Sequence, residues 1–252
     1  MEFGYPSFHA SFVNKVKGFN RPILPAVMAK NKDWKVEDIE KAFNLFTKTY
    51  SDSCCLIIPK VYHDRQSRYL DQSKFDVIEP MKSTYTADDL NTKNFKLDIN
   101  KCGGSRAEVV LFLTTLIVFG EILPQFKVGL TRGVKDNGVD VVVFKDKEMK
   151  QILLGLDSKH GVHAKGFEKN QSDYEDLSDD MIMLGIYFQK QFSYDEQFIS
   201  KDMNGVSIGK LTYEEYIRCL LAYIAKTQKK HNNSSKIYEQ LNLLADIING
   251  LA

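Results

Sequence analysis

Two aspartates and a lysine fall at a spacing that suits chemistry on a phosphate. The stretches Gly138-Val-Asp140-Val-Val-Val-Phe144 and Gln151-Ile-Leu-Leu-Gly-Leu-Asp157-Ser158-Lys159 are apolar, strand-favouring runs, each with an acid at one end. Side chains alternate along a strand, so Asp157 and Lys159 share one face and Ser158 lies on the other. If the two runs pair as a hairpin, Asp140 comes beside Asp157, and two carboxylates and an ammonium converge. Mg²⁺ prefers oxygen ligands and usually takes one or two carboxylates while keeping several waters. Asp140 and Asp157 are the right type and number, and the backbone carbonyl of Ser158 could supply a further oxygen. A divalent cation acidifies its bound water and neutralises charge on a phosphate. Lys159 would orient or deprotonate the attacking water, or hold a fixed positive charge against the phosphate.

The elements that must position these groups are legible around them. Ser105 suits the N-cap of a helix over 106–122, closed by Pro124 and apolar on nearly every side, so it should be buried against a sheet. Strands are expected at 126–132, 139–145 and 151–158, the first two joined by the turn signal Lys135-Asp-Asn-Gly138. Before them, residues 36–50 show helical spacing at Ile39, Ala42, Phe43 and Phe46, and 54–59 reads as a short buried strand. Residues 60–105 are polar, with basic and aromatic residues interleaved, as in a long loop or a contact surface. After the aspartates, a helix is expected at 174–192 and a strand at 206–211. Thr212 then caps a helix over 213–229, and a last amphipathic helix runs over 235–249. The fold class is therefore α/β or mixed α+β, with a small mixed sheet, a three-stranded meander at its centre, and flanking helices. The expected division is an accessory region at 1–104 and a core at 105–252.

Composition narrows the classes. The chain has 252 residues, 43% hydrophobic and 27% charged, which excludes general disorder. The apolar run 109–120 falls short of the ~20 residues a membrane helix needs. No signal pattern opens the chain, and the four cysteines show no C-x-x-C spacing, so a reducing cytoplasmic setting is expected. A net charge of +1 makes no general argument for nucleic acid. Charge is nevertheless uneven, with an acidic stretch at 172–180 and basic groups at Lys159, Lys165, Lys169 and 226–231.

Gly138-Val-Asp140-Val-Val-Val together with Leu154-Gly-Leu-Asp157-Ser-Lys159 resembles the PD-(D/E)xK nuclease superfamily, and in context the cleavage domains of type II restriction endonucleases, including type IIS. Val139 stands where the motif's proline would be, and the second acid is Asp rather than Glu. The resemblance covers less than half of the chain. It implies a restriction-endonuclease-like core of helix, meander, helix and strand. It also implies Mg²⁺, with Mn²⁺ able to substitute, held by Asp140 and Asp157 while Lys159 assists the water. An acid on the first helix near the metal would be Glu108, or else Glu121. His160, His163 and Lys165 would be phosphate contacts.

His163-Ala-Lys165 also resembles the H-x-K of phospholipase D-like phosphodiesterases, but Asn170 stands where that motif has Asp, and its Gly-Ser-x-Asn is missing. The expected function is a metal-dependent endonuclease acting on double-stranded DNA, a type II restriction or related defence nuclease with no membrane partner, assembled as a homodimer at least on DNA. The rival expectation is a non-catalytic subunit that binds nucleic acid or protein through the same fold.

Overall fold

A helix with apolar residues on every side needs cover on every side. Residues 107–119 form such a segment, and in the computed structural model it is the centre of the molecule. The structure describes residues 34–59, 75–80, 86, 103–122, 125–131, 139–149, 152–160, 182–188, 198–201, 207–227 and 234–252. In chain order the elements are helix α1 (Val36–Thr49), a 3-10 turn (Ser51–Ser53), strands β1 (Cys54–Pro59) and β2 (Phe75–Pro80), and helix α2 (Gly103–Ile122). Strands β3 (Lys127–Thr131), β4 (Val141–Phe144), β5 (Ile152–Lys159), β6 (Ile182–Tyr187), β7 (Phe198–Lys201) and β8 (Ser207–Thr212) follow. Helices α3 (Tyr213–Thr227) and α4 (Ser234–Ile248) complete the order.

The strands make one sheet in the order β2-β1-β3-β4-β5-β6-β8-β7. At its centre β3, β4 and β5 form the expected antiparallel meander. β6 runs parallel to β5, and β8 parallel to β6. On the other side β1 runs parallel to β3, and β2 and β7 are antiparallel edges. α2 packs on β3 and β5 and is itself covered by α1, α3 and α4. Alternate sheet residues (Leu56, Val128, Leu130, Val141, Val143, Leu154, Leu156, Leu184, Ile186, Leu211) join that helical core. The intervening positions Ile57, Val142, Phe144, Met183 and Tyr187 are also buried. Burial on both faces explains why β4 reads as an unbroken apolar run rather than an alternating one.

Two threonines are the polar exceptions inside α2. Thr114 and Thr115 return their hydroxyls to the carbonyls of Val110 and Leu111, at 2.8 and 2.7 Å, and both meet tyrosines of α3. Thr114 Oγ1 pairs with Tyr213 Oη, and Thr115 Oγ1 with Tyr216 Oη at 2.9 Å. α3 is held in register with the sheet by its start: Thr212 N–H donates to Glu215 Oε2 (2.8 Å) and Glu215 N–H donates to Thr212 Oγ1 (3.2 Å). This is a reciprocal capping box. α4 is closed just past its end by Gly250, whose φ of 67° suits glycine, with Leu251 N–H on Asp246 C=O (2.8 Å) and Gly250 N–H on Ile247 C=O (2.9 Å).

Three expectations need correcting. The sheet has eight strands among the described residues, not a small number, because β2 forms inside the expected loop 60–105 and β7 adds a second edge. The helix expected over 174–192 is interrupted by β6, an inner strand. Ile182-Met-Leu-Gly-Ile-Tyr187 is a short apolar run interrupted by glycine, and burial on both faces removes the alternation that tells strand from helix. Ser105 is not a cap, since α2 begins two residues earlier at Gly103. α1 and β1, which precede residue 105, share the sheet and the core with described elements that follow it. The turn at 135–138 lies outside the described residues, as do the helical expectations at 174–181 and 189–192.

Burial of the β1 thiols makes stability depend on alkaline pH. Burial, reinforced for Cys54 by its neighbour Cys55 and opposed by Lys127, pushes both Cys54 and Cys55 from 9.0 up to about 12. The Tyr213 and Tyr216 hydroxyls are also raised, chiefly by burial. The folded state keeps these groups protonated where the unfolded chain ionises. Their contribution is complete below about pH 9 and is lost as pH rises toward 12. Urea midpoints should therefore fall steadily over that window, and a Cys54→Ala/Cys55→Ala variant should show a shallower decline. A midpoint independent of pH between 9 and 11 would contradict the buried thiols.

Candidate functional site

Asp140 lies where β4 begins, and its backbone is bound on both sides. Its C=O accepts the N–H of Thr131 on β3 at 2.9 Å, and its own N–H donates to the C=O of Leu156 on β5 at 2.8 Å. In a regular antiparallel strand the N–H and C=O of one residue serve the same neighbour; here they serve opposite ones. Leu156 is already the partner of Val141, so Asp140 and Val141 together oppose a single residue. That is a β-bulge, a device that re-aims a side chain and recurs beside active sites. The Asp140 carboxylate is re-aimed along the sheet: its Oδ2 accepts the N–H of Ser158 at 2.6 Å. It takes the place of a ladder carbonyl, against a nitrogen two covalent bonds from Asp157 Cα.

Asp157 and Lys159 lie on the face of β5 away from α2, because Leu154 and Leu156 occupy the helical side. Lys159 Nζ stands 2.7 Å from Asp157 Oδ1. Asp157 is 2% exposed and Asp140 8%. Carboxylates at that depth are costly unless paired or hydrogen-bonded, and the ammonium and the Ser158 N–H supply such partners. Ser158 turns its N–H to the β4 side while Lys159 turns its C=O to Phe188 N–H at 3.0 Å on the β6 side. By that alternation the Ser158 carbonyl also faces the side of Asp140. Phe188 is itself anchored, stacked on Tyr213 at 4.5 Å and edge-on to Trp34 at 5.8 Å. The end of β5 is therefore fixed from both neighbours.

The register extends the site to a residue that sequence reading passed over. Asp157 pairs with Gly185 on β6, and Gly185 with Lys210 on β8. In-register neighbours on adjacent strands share a face, so Lys210 lies in the same row as Asp157, with a glycine between. Two strand spacings make that separation about 9.6 Å between Cα atoms. Lys210 is only 7% exposed, an unusual place for a lysine. Its signal in the sequence was a charge inside the strand Ile208-Gly-Lys-Leu-Thr212, two residues before a capping box.

The expected helix acid does not join the site. Among the described residues no third Asp, Glu, His or Cys forms a metal-holding group with the two aspartates. Glu108 belongs to α2, which covers the opposite face. Glu121, at the far end of that helix, accepts the Tyr50 hydroxyl at 2.7 Å and pairs with Lys236 at 2.8 Å. At a helix C-terminus a carboxylate opposes the dipole, and those two partners offset the conflict. His160 directly follows Lys159 and is partly buried. His163 and Lys165 lie outside the described residues.

The donor set fits a hard divalent cation that keeps most of its water: two buried carboxylates on adjacent strands, with a backbone carbonyl turned to the same side. It does not fit zinc, which favours histidine and cysteine. Comparison with protein-family models, with curated proteins and with solved structures finds no match to this chain. No helix among the described residues is long and apolar enough to cross a membrane.

Removing one member of the ion pair should expose its cost. Lys159→Met removes the ammonium from Asp157, which is 2% exposed, and breaking a buried pair typically costs about 3–5 kcal/mol. The lower end is expected because the Lys159 side chain retains 16% exposure. The double variant Asp157→Asn/Lys159→Met should recover part of the loss. Urea denaturation of the four proteins measures the coupling, and additive losses would show that the pair contributes nothing.

Proposed function

We propose that this chain is a divalent-cation-dependent endonuclease that hydrolyses phosphodiester bonds of double-stranded DNA, of the type II restriction or a related defence kind. The observation that carries the reading is the Asp140 carboxylate held on the N–H of Ser158, the residue between the two members of the Asp157–Lys159 ion pair, on adjacent inner strands. The order α2-β3-β4-β5-β6, a helix followed by a meander and a strand parallel to its last member, supports the resemblance to PD-(D/E)xK nucleases.

Asp140 and Asp157 would hold Mg²⁺ or Mn²⁺, with the Ser158 carbonyl as a further oxygen. When bound, the cation supplies an acidified water and positive charge against the phosphate. Lys159, kept beside Asp157 by its ion pair, orients the attacking water and neutralises charge gained by the phosphate. Lys210 adds a second ammonium on the same face, and His160, next to Lys159, would contact a flanking phosphate. Because Asp140 and Asp157 are set in inner strands, the groups are preorganised rather than assembled by loop closure, which is where electrostatic stabilisation is most effective. Cutting both strands of a duplex takes two such sites, so the chain acts as a homodimer at least on DNA.

Supercoiled plasmid incubated with the protein and Mg²⁺ or Mn²⁺ should be nicked and linearised, and EDTA should stop the reaction. Asp140→Asn and Asp157→Asn should each abolish detectable cleavage, and Lys159→Met should slow it about 10²–10⁴-fold. Lys159→Arg, which keeps the charge, and circular dichroism of every variant separate lost chemistry from lost fold. Cleavage that is equal in wild type and folded variants sinks the site assignment. Cation-dependent DNA binding by wild type without any cleavage would mark a binding module instead.

A further inference from the structure

Thr131 ends β3 at the position opposite Asp140, and it is 4% exposed. Its N–H is engaged by the Asp140 carbonyl. Its Oγ1 is fully buried and finds no hydrogen-bond partner among the described residues. Leu130, its predecessor, faces the helical core, so Thr131 faces the other side with Asp157 and Lys159. Its neighbours across the sheet are Ile57 on β1 and Asp140 on β4. Among the described residues nothing in the packing around Thr131 calls for a hydroxyl. Valine has the same shape and strand preference and carries no polar atom to leave unsatisfied. A buried donor without a partner asks for an ion, a water or a ligand.

We propose that Thr131 Oγ1 is a ligand-binding group of the site, hydrogen-bonded to a water in the coordination shell of the divalent cation held by Asp140 and Asp157. The inference rests on the cation in the reading above and deepens it. Mg²⁺ and Mn²⁺ sites built on two carboxylates keep several waters, and each of those waters needs a hydrogen-bond acceptor. A threonine hydroxyl can accept from a bound water while remaining a donor to a substrate oxygen. Thr131 is linked to Asp140 by the backbone bond that defines one side of the bulge, so the hydroxyl and the re-aimed carboxylate are set at a fixed spacing.

The test is Mn²⁺ titration of the full chain by calorimetry, with thermal unfolding of the metal-free proteins, for wild type, Thr131→Val, Thr131→Ser and Asp140→Asn. Loss of an outer-shell partner typically weakens metal binding about 10–100-fold, and Thr131→Val should fall in that range. Thr131→Ser, which restores the hydroxyl, should bind within about threefold of wild type. The metal-free Tm of Thr131→Val should equal or exceed that of wild type, because an unsatisfied hydroxyl is replaced by a methyl of the same shape. A structural threonine gives the opposite pattern, a lowered metal-free Tm with unchanged Mn²⁺ affinity, and that result overturns the inference. Wild-type binding that is lost in Asp140→Asn but kept in Thr131→Val overturns the role of Thr131 while leaving the cation site standing. Wild type that binds no Mn²⁺ overturns both.

Discussion

The described elements of this chain are arranged around a helix that has almost no face to show to water. α2 is buried along almost its whole length, from Ala107 to Phe119 apart from Glu108. An element of that kind cannot lie on a surface: it needs a sheet beneath it and helices around it. The sheet must be wide enough to underlie the helix, which draws β1 in beside β3, and α1, α3 and α4 close the remaining sides. Burial alone does not choose the rotation of α3 about the core. The hydroxyl pairs from Thr114 and Thr115 to Tyr213 and Tyr216 do, because each would be costly to leave unmade at that depth.

The same burial sets the terms for the acidic site. Residues of the central meander have little contact with solvent, so a carboxylate there needs partners supplied by the protein. Two different solutions stand side by side. Asp157 takes an ammonium two residues along its own strand, where alternation guarantees a common face. Asp140 takes a backbone N–H from the neighbouring strand, and reaching it requires the bulge. One solution is local and uses charge, whereas the other is cross-strand and uses geometry. Both carboxylates are thereby fixed at the same end of the β4–β5 pair, one on the Ser158 N–H and the other on the Lys159 ammonium.

That distinction decides what could be read from the residues alone. The Asp157–Lys159 pair follows from strand phase, and the meander follows from three apolar runs around an Asn-Gly signal. α1 was legible because Ile39, Ala42, Phe43 and Phe46 mark one face. The bulge at Asp140 was not, since nothing in Gly138-Val-Asp140-Val announces which carbonyl the Asp140 N–H will choose. Asp140 was expected beside the end of β5 from a regular hairpin register, and the structure sets its carboxylate on the Ser158 N–H through an irregular one. Glu108 was assigned to the site by resemblance, yet its helix lies over the other face. Helical spacing says which residues of a helix point alike and is silent on which face of the sheet the helix will cover.

β6 shows how one misread element hides chemistry two strands away. Read as a helix, 182–187 offers no register, and Lys210 is then a charge in a short strand with no relation to the aspartates. Read as an inner parallel strand, the same six residues carry the row from Asp157 through Gly185 to Lys210. Gly185 matters twice in this. It lowers the helical propensity of an otherwise ambiguous apolar run, and it puts no side chain between an acid and a buried lysine. A larger residue at that position would have insulated the two; with glycine, the polar row of the site extends across β4, β5, β6 and β8. The capping box at Thr212 and Glu215 holds β8 at the height this requires, so a helix start serves the site by fixing where Lys210 stands.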